Sequence, residues 1–81
     1  MSYDVAIVGL GRVGLPLALS FADRGLTVLG VDVDPERLAA VRAGRMPFDE
    51  TGTDELVSRV SQTGRLSLSE RVADAAAARD V

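Results

Sequence analysis

The chain contains no cysteine, histidine, lysine or asparagine, and all nine of its basic side chains are arginine. Each absence closes a class of chemistry. Without cysteine there is no thiolate nucleophile, without lysine no Schiff base, and without histidine no imidazole general base. A zinc site built on cysteine or histidine is excluded for the same reason. Lack of cysteine also fits a reducing compartment, and the cytoplasm is the expected location. No apolar run approaches the roughly 18 residues that a membrane span needs. The N-terminus has no basic segment ahead of an apolar stretch, so nothing there reads as a secretory signal. The formal net charge is −3 and no block of basic residues occurs. Neither nucleic acid nor an anionic membrane is therefore expected as a partner.

Glycine is not scarce, and three of the eight glycines fall in one short run. Residues 4–8 (Asp-Val-Ala-Ile-Val) are apolar at nearly every position. Such a run predicts a strand covered on both faces, as in a parallel sheet. Gly9-Leu-Gly-Arg-Val-Gly14 follows, then a helix predicted from about Val13 to Arg24. Val13, Leu17 and Phe21 recur every fourth residue and give that helix its expected buried face, with Ala18 and Ala22 beside them. Pro16 fits the first turn, and Gly25 is a natural stop. A second strand is predicted over Thr27–Val31, ending in Asp32.

Asp34-Pro35 begins a second helix, with Asp34 as its cap, Leu38 and Val41 facing inward and Gly44 at its end. Residues 45–52 read as a loop. A third helix is predicted from about Asp54 to Gln62, with Leu56, Val57 and Val60 inward. Leu66 and Leu68 alternate with Arg65, Ser67 and Ser69, the pattern of an edge strand with one exposed face. Ser69 is then expected to cap an alanine-rich fourth helix running to about Arg79. Asp80-Val81 reads as the start of a strand left incomplete.

This order, β-α-β-α-α-β-α, predicts an α/β fold: a partial Rossmann unit with a parallel sheet of order 3-2-1, truncated before the fourth strand. Residues 1–81 read as the N-terminal half of a dinucleotide-binding domain. The far edge of the first strand is expected to be bare and prone to self-association. A chain this short buries only roughly 60–65% of its unfolded surface, so its stability is expected to be marginal.

The glycine run and Asp32 together specify a candidate site. Gly9 allows a tight turn, Gly11 leaves room for a pyrophosphate, and Gly14 lets helix and strand pack closely. Amides near Arg12, Val13 and Gly14 lie at a helix start, where they point at an anion. Asp32 can accept from both ribose hydroxyls of an adenosine, and its charge favours NAD over NADP. Arg37 either contacts the ribose or adenine or is a solvated arginine; a nearby arginine can also accept a 2′-phosphate, against which the direct Asp32 carboxylate weighs more heavily. Arg12 either pairs with the pyrophosphate or points to solvent, or to a domain outside this chain. The expected cofactor-binding residues are Gly9, Gly11, Arg12, Val13, Gly14, Asp32 and Arg37. No catalytic or metal-binding residue is expected.

The run Gly9-Leu-Gly-Arg-Val-Gly-Leu-Pro-Leu-Ala18 resembles the start of the UDP-glucose/GDP-mannose dehydrogenase family, especially its UDP-N-acetylmannosamine dehydrogenase-like members. Gly30-Val-Asp-Val-Asp34, Met46-Pro-Phe-Asp-Glu50, Gly52 and Gly64-Arg-Leu66 extend the resemblance over essentially the whole chain. The resemblance implies NAD as cofactor. It matches Arg12 and Val13 to positions whose backbone meets NAD, Asp32 to the ribose acid and Arg37 to a contact on the adenosine side. Arg12 departs from the tyrosine common at its position. The resemblance also implies a homo-oligomeric full-length enzyme that oxidises C6 of a nucleotide sugar from alcohol to carboxylate with two NAD⁺. Such an enzyme uses cysteine, lysine and asparagine, none of which this chain has. The expectation is thus the cofactor portion of such an enzyme, inactive by itself, with the rest of the NAD domain and a substrate domain lying outside these residues. Two alternatives stand beside it: the half-fold of a β-hydroxyacid-type dehydrogenase, and a non-enzymatic nucleotide-binding module.

Overall fold

The computed structural model describes residues 3–48 and 53–80. Four strands, β1 (Tyr3–Val8), β2 (Val28–Val31), β3 (Leu66–Ser69) and β4 (Ala78–Asp80), pair in parallel in the order β3-β2-β1-β4. Helix α1 (Gly14–Asp23) joins β1 to β2, and α2 (Pro35–Arg42) and α3 (Thr53–Thr63) join β2 to β3. A 3-10 helix (Val72–Ala77) precedes β4.

Chirality explains the layering. The first two crossovers step the same way across the sheet, so right-handed connections put α1, α2 and α3 on one face. The crossover to β4 steps back past β2 and β1, and its 3-10 helix falls on the other face. Two apolar clusters follow. Leu10, Leu15, Leu19, Leu38, Val57 and Val60 pack with Val28 under the helices, while Ala6, Leu29, Val31 and Ala75 form a smaller cluster on the opposite face. All four residues of β2 are buried, because it lies between two strands and between both clusters.

The α2 and α3 faces match the sequence expectation: Leu38, Val41, Val57 and Val60 are buried and Leu56 is half-buried. Asp34 caps α2, its Oδ1 accepting from the Glu36 and Arg37 amides at 3.0 and 3.3 Å. At α1 the expected face is only partly right. Ala18 and Ala22 are buried and Phe21 is half-buried against the core, but Val13 is 81% exposed and Leu17 44% exposed, and Leu15 and Leu19 are buried in their place. This helix is apolar nearly all round, so two stripes of helical spacing compete, and the close approach of Gly14 to β1 selects the second. Leu19 is fully buried in the larger cluster. Leu19→Ala is expected to cost about 3 kcal/mol in urea denaturation, the usual loss for a core leucine. An unchanged midpoint would place the core elsewhere.

The C-terminal expectation is corrected at three points. The alanine-rich stretch after Ser69 is a short 3-10 helix, not an α-helix to Arg79. Ser69 makes a local turn, its Oγ accepting from the Arg71 amide and donating to the Asp74 carboxylate at 2.6 Å. A fourth strand is also present: the strand start expected at Asp80-Val81 falls in β4 (Ala78–Asp80), Val81 lying outside the described residues. Ala78 and Asp80 pair with Tyr3 and Val5, so the far edge of β1 is partly covered. Helix propensity favours an alanine run, but pairing to β1 and the Ser69–Asp74 tie outweigh it. Finally, β3 has no exposed face: all four of its residues are half-buried.

Candidate dinucleotide site

β1 ends at Val8, and the Gly9 amide donates to the Val31 carbonyl at 2.7 Å, joining the ends of the two central strands. Gly9 turns the chain with φ +94°, a region that favours glycine. A Cβ on Gly14 would fall on the Gly9 carbonyl oxygen, so the third glycine is required for the helix to start where it does. At Gly11 the added atom would meet nothing within 4 Å. That glycine keeps space open in front of the turn.

Val13 is the cap residue of α1, and no side chain caps the helix. Among the described residues, the amides of Arg12, Val13 and Gly14 have no acceptor, whereas the Leu15 amide already donates to the Gly11 carbonyl. Free donors and the positive end of the helix dipole converge on the open space at Gly11. This arrangement suits a phosphate group.

Asp32 lies beside the turn and is only 7% exposed. Its Oδ2 accepts from the Leu10 amide at 2.7 Å and from the Arg37 guanidinium at 3.1 Å. Oδ1 accepts from the Asp34 amide at 2.9 Å. Burial by itself pushes this carboxyl up, but the Asp34 and Leu10 amides and the Arg37 guanidinium more than offset it. The net result is a value below the ordinary carboxylate range. A carboxylate has about four acceptor positions, and three are filled. One acceptor position is left, on Oδ1.

Arg12 leaves the turn sideways, its guanidinium carbon 5.1 Å from the centre of the Phe48 ring. A cleft of about 480 Å³ opens here, lined by Arg12, Asp34, Arg37, Arg45, Pro47 and Phe48 among others. The structure therefore gathers Gly9, Gly11, Arg12, Val13, Gly14, Asp32 and Arg37 around adjoining turns. Two contributors were missed. Leu10 was given no role of its own in the glycine run, yet its amide fastens the turn to Asp32. Phe48 sat in an unassigned loop, and nothing in its local pattern signals Arg12. Among the described residues no group of acids suits a metal ion, and no helix is long and apolar enough to cross a membrane.

The sequence profile of the UDP-glucose/GDP-mannose dehydrogenase family, NAD binding domain, matches residues 3–81. The chain belongs to the UDP-glucose/GDP-mannose dehydrogenase family. It is 38% identical over 77 residues to a UDP-glucose 6-dehydrogenase of Rhizobium meliloti (strain 1021), covering 95% of this chain and 18% of that protein. It is 39% identical over 62 residues to a UDP-N-acetyl-D-mannosamine dehydrogenase of Methanococcus aeolicus, covering 76% of this chain and 14% of the relative. The structure of a UDP-glucose dehydrogenase from Pyrobaculum islandicum superposes with a TM-score of 0.84 at 37% identity, over 93% of this chain and 17% of that one. The chain thus spans less than a fifth of the length of these relatives. Membership in this family sets aside the β-hydroxyacid-type alternative, and the matched domain is one that binds NAD.

Proposed function

We propose that residues 1–81 form the NAD-binding portion of a nucleotide-sugar 6-dehydrogenase. One observation carries the reading: an uncapped helix start with three free amides stands next to a buried, ionised Asp32. The amides of Arg12, Val13 and Gly14 would hold the pyrophosphate, with Gly11 leaving the space. Asp32 would accept one ribose hydroxyl at Oδ1, and Arg37 would meet the adenosine side. A 2′-phosphate would face the Asp32 carboxylate, so NAD is favoured over NADP. The residues present therefore fit the cofactor.

Bound NAD⁺ supplies the hydride acceptor, and two equivalents with one water account for oxidation of a C6 alcohol to a carboxylate. This chain's own contribution is to bind and orient. It has no cysteine, lysine, asparagine or histidine to attack, trap or deprotonate a sugar carbon. In this reading those groups belong to further parts of the enzyme, as does the nucleotide-sugar pocket.

Isothermal titration with NAD⁺ and NADP⁺ tests the reading. Weak binding of NAD⁺ is expected, with a dissociation constant of about a millimolar, equivalent to about 4 kcal/mol. NADP⁺ is expected to bind about tenfold more weakly or worse. No NADH should form from UDP-glucose or GDP-mannose. Tighter binding of NADP⁺ than of NAD⁺, or sugar-dependent NADH formation by these residues alone, would overturn it.

A further inference from the structure

We propose that Phe48 is a positioning residue for Arg12, holding its guanidinium at the lip of the phosphate turn so that it grips the same pyrophosphate as the free amides. The proposal rests on the NAD reading above. It begins with an arginine that has no acidic partner among the described residues. Asp34 and Glu36 line the same cleft, yet neither pairs with Arg12 among the described residues. Its contact is the ring of Phe48, 5.1 Å away.

That choice of partner has a chemical consequence. A ring has no carboxylate-like acceptor to take up the guanidinium's N–H groups, so a guanidinium held over it keeps its five donors available. A carboxylate partner would occupy the same donors that a phosphate needs. An aromatic partner restrains the side chain and leaves them free for a two-pronged contact. The backbone points the same way. Arg12 lies inside the glycine turn, its own amide is one of the three free donors, and Gly11 beside it leaves the approach open. One residue can therefore grip a diphosphate by main chain and side chain together. Arg37 and Arg45 stand along the same cleft, adding positive charge around it.

Phe48 lies just after α2, far along the chain from the turn, so the contact also fastens the loop to the turn. Leucine would fill similar space without the negative ring face, whereas tyrosine would keep that face. The test is titration of the ¹⁵N-labelled chain with NAD⁺, ADP and adenosine, using wild type, Phe48→Leu, Phe48→Tyr and Arg12→Gln. Both Phe48→Leu and Arg12→Gln are expected to weaken NAD⁺ and ADP binding about three- to tenfold. Adenosine binding should not change, and Phe48→Tyr should behave as wild type. The Arg12 Nε–H signal, shifted by the ring current, should return to an ordinary position in Phe48→Leu. Equal losses for ADP and adenosine would reduce Phe48 to a structural role and overturn the proposal. So would unchanged ADP binding in Arg12→Gln, a variant of an exposed side chain that keeps the fold. If wild type binds NAD⁺ and the variants match it, only the positioning role fails. If wild type binds no NAD⁺ at all, the NAD reading fails with it.

Discussion

Gly14→Ala will lower the stability of the chain by about 3 kcal/mol, the upper end of the usual range for forcing an extra methyl into a packed site. A chain of this length is expected to have only about 4–12 kcal/mol in total. The added carbon would fall on the Gly9 carbonyl oxygen, with the Gly9 carbonyl carbon at 3.1 Å and Ile7 Cγ2 at 3.3 Å. Backbone cannot rotate aside as a flexible side chain can, so α1 must lift from β1. Lifting would loosen the Leu15 and Leu19 contacts and spread the free amides. Gly11→Ala supplies the contrast, because its methyl would meet nothing within 4 Å. That variant should stay within about 0.5 kcal/mol of wild type and lose NAD⁺ affinity instead. Thermal melts and NAD⁺ titrations of the two variants separate the effects. A Gly14→Ala protein that melts like wild type would contradict the packing described for the turn.

The second large effect concerns Asp32. Asp32→Ala is expected to cost about 3 kcal/mol at neutral pH, since it strands the buried Leu10 amide, the Asp34 amide and the Arg37 guanidinium. Arg37 is 35% exposed in its side chain, so water screens its share and most of the loss comes from the two amides. The cost depends on pH with a definite sign. The Asp32 carboxyl titrates lower in the folded chain than its ordinary value of 3.8. Around that value the unfolded chain binds more protons, so stability rises with pH there. The carboxylate's contribution is complete above the unfolded value and is lost as pH falls through the lower folded one. Urea midpoints of wild type and Asp32→Ala should therefore lie far apart at neutral pH and converge below about pH 4. Curves that remain parallel into acid would show that the charge on Asp32 contributes nothing.

Much of this arrangement was readable because it is local. The strand–glycine–helix unit, the Asp34-Pro35 helix start and the acid at the end of β2 each declare themselves within a few residues. What escaped depends on the rest of the molecule. The apolar circumference of α1 offered two buried faces, and only its seating against Gly9 decides between them. Alanines 75–77 read as helix on propensity, but a free edge of β1 and a tie from Ser69 to Asp74 turn the segment into a tight coil and a strand. Asp32 was legible as the candidate acid for a ribose. The hydrogen bond by which it fastens Leu10 in the glycine turn needed the distance between two strand ends. Phe48 was hidden for a similar reason, since its partner Arg12 comes from the other side of the cleft.

The most direct test of the central claim is a ¹H–¹⁵N correlation spectrum of the chain recorded through an NAD⁺ titration. The largest shifts are expected at the amides of Gly11, Arg12, Val13 and Gly14, with smaller ones at Leu10, Asp32 and Asp34. Saturation with millimolar NAD⁺ that leaves those amides unmoved, or moves only residues between α2, α3 and β3, would contradict the assignment of the glycine turn as the cofactor site.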